Sequence, residues 1–169
     1  MPADAEVKPV IKMQCMPLAP FPLNITTSSA EQTKTFGQNL AARLLPGDVI
    51  CLWGDLGSGK TTLTQGICRG LQSKEIAVSP TFGLIHEYQG ICDIYHLDLY
   101  RLDNSAQAEE IGITDYLYGR GISILEWPER IRDMLPDSRL DIHLTRLDQQ
   151  TRKIEIKTSG KNWNDRFDN

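Results

Sequence analysis

The 169-residue chain is 40% hydrophobic and 24% charged, with 18 Lys plus Arg against 22 Asp plus Glu and a net charge of −4. That balance fits one domain with its own core and excludes a chain disordered throughout. It also excludes a protein that holds nucleic acid by bulk positive charge, so any action on RNA is local or passes through a partner.

Residues 1–23 carry Pro2, Pro9, Pro17, Pro20 and Pro22 without hydrophobic periodicity, and read as a flexible arm outside the core. Ser28-Ser29-Ala30-Glu31 forms an S-x-x-E capping box. Phe36, Leu40 and Leu44 follow at helical spacing, predicting a first helix that ends near Pro46-Gly47. Asp48 to Trp53 is a short apolar run after a turn, the mark of a buried strand, and Leu63, Ile67 and Leu71 lie on a second helix. Phe82–Tyr88 and Ile91–Leu99 flank Gln89-Gly90 and predict a β-hairpin. Asn104 or Ser105 caps a short helix stopped by Gly112. Ile122 to Leu125 is a further apolar strand, closed by Glu126. Pro128 to Leu135 is expected to be helical, with Pro128 at its first position. Strands over 139–147 and 152–158 make a second hairpin. The domain thus spans 24–159, and 160–169 (ending KNWNDRFDN) reads as a polar, frayed tail.

Cys15, Cys51, Cys68 and Cys92 lie far apart with no C-x-x-C pair, and three of them sit in apolar runs. Buried thiols in a reducing compartment are expected. No apolar run reaches the ~18 residues needed to span a bilayer. Nor does the N-terminus show the basic-then-apolar order of a secretory signal. A cytoplasmic location without membrane contact is the expectation.

Gly54-Asp55-Leu56-Gly57-Ser58-Gly59-Lys60-Thr61 is G-x-x-x-x-G-K-[ST], the Walker A phosphate loop, with the required strand before it and helix after it. Its glycines let backbone N–H groups turn inward around phosphates, and the helix opening at Gly59 favours negative charge. Asp55, Leu56, Gly57, Ser58, Gly59, Lys60, Thr61 and Thr62 are therefore expected to cradle the phosphates of ATP. Lys60 reaches their oxygens, and the Thr61 hydroxyl completes the shell of Mg²⁺.

Such a loop needs a second acid near the metal. Glu126, at the end of Ile122-Ser123-Ile124-Leu125, is the candidate, with a reach that allows either direct or water-mediated contact. The alternative, a surface carboxylate, is disfavoured by the apolar run before it. Alternation puts His96, Asp98 and Tyr100 on one strand face and Tyr95, Leu97 and Leu99 on the other. Asp98 could orient an attacking water there, but the solvated face of an edge strand fits the pattern equally well. A lone histidine such as His96 is more often structural than catalytic. Ser79-Pro80-Thr81 could sense the γ-phosphate as a switch loop does, or could be a turn with capping hydroxyls. Thr145-Arg146-Leu147-Asp148 imitates the guanine-reading [NT]-K-x-D tetrapeptide. Arg replaces Lys, however, and the chain has no D-x-x-G, so a GTPase reading is rejected.

Read together, GDLGSGKTT (54–62), SPTF (79–82), YHLDLYRL (95–102) and LEWPE (125–129) resemble the bacterial TsaE ATPase family, from about Asn24 to about Ser159. The resemblance implies an α/β single-domain P-loop NTPase fold with a mixed central sheet, including β-hairpins, flanked by helices. It implies weak intrinsic ATPase activity in forming threonylcarbamoyladenosine (t⁶A) at position 37 of tRNAs that read ANN codons. The implied partner is the threonylcarbamoyl-transferase complex of TsaB- and TsaD-type subunits, through which tRNA is met. By position, Lys60 and Thr61 match the phosphate and Mg²⁺ residues, Glu126 the metal-site glutamate and Asp98 an essential strand aspartate. Ser79, Pro80 and Thr81 match the switch loop, Trp127 a tryptophan beside the nucleotide, and Arg152 a nearby basic residue. The catalytic set so implied is Asp98, Lys60 and Glu126. Gly83 departs from the family, which often has Thr there, and the arm before Asn24 is longer than a compact member needs. Two other functions also use a phosphate loop. A small-molecule kinase would use Asp98 as base, yet the chain has no arginine-rich lid; a nucleotide-gated adaptor would scarcely hydrolyse ATP.

Overall fold

Short strands of β-branched and aliphatic residues, buried on both faces, set the centre of the molecule. In the computed structural model, which describes residues 23–80, 83–160 and 163–167, β2 (Val49–Trp53), β4 (Asp93–Asp98) and β5 (Ile122–Glu126) run parallel in the order β2-β5-β4. Such strands read as continuous apolar runs because helices cover both sides. Further strands, paired antiparallel at both edges, extend the sheet outwards. β3 (Ile85–Gln89) pairs with β4, while β6 (Arg139–Arg146) lies parallel to β2 and carries β7 (Arg152–Ser159) in a hairpin. β1 (Leu23–Thr27) completes a seven-stranded mixed sheet at the outer edge of β7. This is the expected fold class.

Alternation along the strands divides the core in two. Ile50, Leu52, Ile94, Ile122 and Ile124 face α1 (Ala30–Ala41) and α2 (Lys60–Gly70), whereas Val49, Cys51, Leu97 and Leu125 face the opposite side. That second side is covered by α3 (Ser105–Glu110), α4 (Ile113–Leu117) and a 3₁₀ segment, Pro128–Met134. α1 and α2 approach backbone to backbone: a Cβ on Gly66 would stand 2.2 Å from the Lys34 carbonyl oxygen. Glycine there locks α2, and with it the phosphate loop, onto α1.

Several local expectations are corrected. The first cap lies at Ser29, whose Oγ accepts from Gln32 N at 3.1 Å, while Gln32 Oε1 accepts from Ser28 N at 2.8 Å. The box is thus shifted by one residue, with Gln32 as the reciprocal partner, and the helix stops at Ala41, well before Pro46. Leu23, assigned by sequence to the arm, opens β1 opposite Ile156. Gly112 ends α3 but, at φ 72°, also starts α4. The 128–134 segment is 3₁₀ and kinked at Ile131 rather than a regular helix to Leu135. The largest correction is at the C-terminus. Trp163 and Phe167, the latter closing α5 (Asn164–Phe167), are 2% and 1% exposed in the α1/α2 core. Arg166 bonds Asp48 there at 2.6 Å. Two aromatic anchors outweigh the polar letters around them.

Cys51 and Cys68 are buried free thiols, and burial pushes Cys68 up to about 12 and Cys51 higher still. Cys92 is half-buried, and Cys15 lies outside the described residues with the rest of 1–22. Among the described residues, no helix is long and apolar enough to cross a membrane.

Candidate functional site

The site forms where β2, β5 and β4 end, at the carboxyl edge of the parallel strands. That is where open α/β sheets gather ligands. β2 runs into Gly54, whose φ of 142° and crowded surroundings admit no side chain. A Cβ would stand 2.4 Å from the Leu144 carbonyl oxygen and 2.7 Å from Ser58 Oγ. Gly59 then caps α2 without a side-chain hydrogen bond, leaving the first helical N–H groups available as anion donors. Lys60 folds back over this loop, its Nζ donating to the Gly54 carbonyl at 2.5 Å and the Asp55 carbonyl at 3.0 Å. The ammonium lies 4.0 Å from the centroid of the Trp127 ring. Burial pushes the Lys60 pKa down, opposed by Glu126, Glu129, Asp98 and Asp55.

Asp98 and Glu126 are register partners on adjacent strands, and Leu52 pairs with Glu126 from the other side. β4 is an interior strand between β5 and β3, so the polar face of His96 and Asp98 is not the solvated face of an edge. Both are buried, at 0% and 5% exposure, and Glu126 is at 3%. A buried carboxylate must be paired or hydrogen-bonded, and these two are. Glu126 Oε1 accepts from Thr61 Oγ1 at 2.9 Å and lies 2.9 Å from His96 Nε2. Asp98 Oδ2 accepts from Ser79 Oγ at 2.6 Å, and its Oδ1 from Tyr100 N at 3.1 Å. Ser79 thus reaches the site through Asp98. The preceding Val78 is pinned by Tyr88, whose hydroxyl accepts from Val78 N at 3.1 Å. Thr81 lies outside the described residues.

Trp127 adopts φ 62°, ψ 48°, an uncommon conformation for a bulky residue, which turns the chain from β5 into Pro128. Its ring packs 4.9 Å from that of Tyr100, beyond the end of β4, and the pair walls one side of the cleft. Arg152, at the start of β7, donates to Gly57 O at 3.3 Å and to the carbonyls of Asp148 and Thr151 at 2.9 Å each. The 145–148 tetrapeptide is only the end of β6 and the start of the turn into β7. Asp148 Oδ1 accepts from Gln150 N and Thr151 N at 2.8 Å, and those bonds hold its carboxyl below the usual range.

Together these groups enclose a cleft of about 400 Å³, whose polar side is made by Lys60, Thr61, Ser79, Asp98, Glu126 and Arg152. Gly57, Gly59, Thr62 and Trp127 also line it, and Leu56 stands 80% exposed at its rim. Past Gly59, Thr62 and Arg152 it adjoins a second recess of about 450 Å³ beside Ser29–Thr33. Asp55 and Ser58 turn elsewhere and line a recess toward His143. One hydroxyl and one carboxylate in contact beside a backbone N–H cradle suit a Mg²⁺ shared with phosphate oxygens. Among the described residues, no group of three His, Cys, Asp or Glu could hold a metal ion by itself. The residue that sequence reasoning undervalued is His96. Its position on the Asp98 face was visible, but its partner Glu126 is not local.

A family profile described as "Threonylcarbamoyl adenosine biosynthesis protein TsaE" matches residues 27–154. The chain belongs to the TsaE family. It is 39% identical over 138 residues to the tRNA threonylcarbamoyladenosine biosynthesis protein TsaE of Bacillus subtilis, covering 81% of this chain and 86% of that protein. The TsaE of Nostoc sp. is 42% identical over 139 residues, covering 78% and 83%. A crystal structure of Bacillus subtilis YdiB superposes with a TM-score of 0.72 at 34% identity, covering 88% of this chain and 93% of that one. The segment matched to the TsaE family contains the phosphate loop, Ser79, His96, Asp98, Glu126 and Arg152. The aromatic anchors Trp163 and Phe167 lie beyond it.

Proposed function

We propose that the chain is an ATP-binding and ATP-hydrolysing protein that supports formation of t⁶A at position 37 of tRNAs reading ANN codons. It acts on a threonylcarbamoyl-transferase complex of TsaB- and TsaD-type subunits. The observation that carries this reading is the contact of Thr61 Oγ1 with Glu126 Oε1 at 2.9 Å, directly beneath a phosphate loop, in a chain of the TsaE family. The α2 N-terminus and Lys60 hold the phosphate chain, Lys60 exchanging its two backbone carbonyls for phosphate oxygens. Thr61 and Glu126 would hold Mg²⁺, which when bound would neutralise charge developing on the phosphates. Asp98, steadied by Ser79 and Tyr100 N, is the acceptor that orients a water for attack. Trp127 and Tyr100 exclude bulk water from one side, and Arg152 closes the other. A surface of net charge −4 leaves the grip on tRNA to the partner complex.

Lys60→Ala and Asp98→Ala are expected to abolish t⁶A support in cells depleted of the protein while the purified variants still melt cooperatively. Normal t⁶A with both variants, read by mass spectrometry of tRNA nucleosides, would sink the reading. Phosphate release measured with and without the transferase complex separates an ATPase from an adaptor: an unchanged, negligible rate favours the adaptor.

A further inference from the structure

The geometry points to His96 as a positioning residue for Glu126, holding the carboxylate ready for a divalent cation beside Thr61; the inference rests on the Mg²⁺-nucleotide reading above. His96 is fully buried in β4, with Nε2 2.9 Å from Glu126 Oε1 and Nδ1 without a hydrogen-bond partner among the described residues. A carboxylate only accepts, so Nε2 carries the proton of this contact, and Nδ1 stays unpaired. Burying a ring nitrogen unpaired is unfavourable. Packing alone would therefore favour leucine or phenylalanine at this position, and what histidine adds is the Nε2–H.

The two donors to Oε1 come from different elements. Thr61 belongs to the phosphate loop and helix α2, and is itself a candidate ligand. His96 belongs to the sheet, with its ring packed 6.4 Å from that of Tyr88 on the neighbouring strand. Glu126 is thus fixed from the sheet side whatever the loop does. Partners of this kind, behind a metal ligand, set its orientation and basicity, and their loss lowers metal affinity about 10–100-fold.

Calorimetric titration of the full chain with ADP, in Mg²⁺ and separately in EDTA, tests this. The wild-type chain should bind more tightly in Mg²⁺. His96→Leu should weaken the Mg²⁺ titration by about tenfold or more and shift the EDTA titration little. His96→Gln, whose amide N–H can stand where Nε2–H stands, should recover most of the difference. Equal Mg²⁺ dependence in wild type and His96→Leu overturns the inference. So does a His96→Gln variant as weak as His96→Leu, because ring shape would then matter and not the N–H. Melting curves accompany each titration. If His96→Leu does not fold, His96→Gln is set against His96→Asn, whose shorter amide should fail to reach, and equal Mg²⁺ dependence in those two also overturns it. A wild-type chain indifferent to Mg²⁺ removes this inference together with the metal reading, and one that does not bind ADP removes the nucleotide reading itself.

Discussion

At their carboxyl ends β4 and β5 carry two chemistries on their two faces. Toward α2 they present His96, Asp98 and Glu126, all buried; toward α3, α4 and the 3₁₀ segment they present Leu97 and Leu125, equally buried. Desolvation is the same on both sides, yet one face gains from it and the other is penalised unless every polar atom is paired. The pairing on the polar face is incomplete, since His96 Nδ1 has no hydrogen-bond partner among the described residues. Buried polar groups of this density concentrate where a ligand is to be held, and the apolar face supplies stability in compensation.

Adjacent residues test the division most directly. Asp98→Asn keeps the shape of the side chain and removes its charge, so ATP hydrolysis should fall by about 10²–10⁴-fold, the usual size of an acid–base contribution. Its melting temperature should hold or rise. Leu97→Ala, one residue earlier and fully buried on the other face, should lose about 4 kcal/mol in urea denaturation while the folded fraction keeps its ADP affinity. If Leu97→Ala lost nucleotide binding while folded, or Asp98→Asn unfolded the protein, the two faces would not be separable in this way.

Trp163→Ala carries the comparison to the chain's end. Trp163 packs into the α1/α2 layer at 2% exposure with Arg166 4.6 Å over its ring. Truncation should lower stability by about 3 kcal/mol with no change in hydrolysis per folded molecule. A loss under about 0.5 kcal/mol, the size of an exposed substitution, would restore the frayed tail that composition predicts.

What could be read from the letters, and what could not, follows from the distance of each partner. The phosphate loop, β2 before it and α2 after it are local patterns, so G-x-x-x-x-G-K-T located the cradle without reference to anything far along the chain. The hairpins announced themselves by alternation on either side of a turn. β1 did not, because LNITT is too short to declare a face until Ile154 and Ile156 lie beside it. The aromatic residues 163 and 167 were hidden among polar neighbours, and only the α1/α2 surface gives them somewhere to go. His96 fell between these cases. Its strand and face were legible, but its worth depends on Glu126, brought near through the β4–β5 register.

The smallest effect belongs to a polar group that sits near the cleft without serving it. Ser29 Oγ accepts from Gln32 N at 3.1 Å and caps α1, while the Ser29 carbonyl accepts from Thr33 Oγ1 at 3.2 Å. Thr33 in turn bonds Thr27 Oγ1 at 2.8 Å, tying the helix start to β1. Ser29→Ala removes the cap alone, because the carbonyl and the threonine pair remain. Its expected cost is about 1 kcal/mol of unfolding free energy. Because Ser29 also borders the recess that adjoins Gly59 and Arg152, the same variant asks whether polarity on this side of the sheet is all given over to ligand. Unchanged ADP affinity with a small loss of stability would mark Ser29 as structural. A matching loss of affinity would instead extend the binding face from the strand ends to the start of α1, and the contrast would then lie between the two helical layers and not merely between the two faces of β4 and β5.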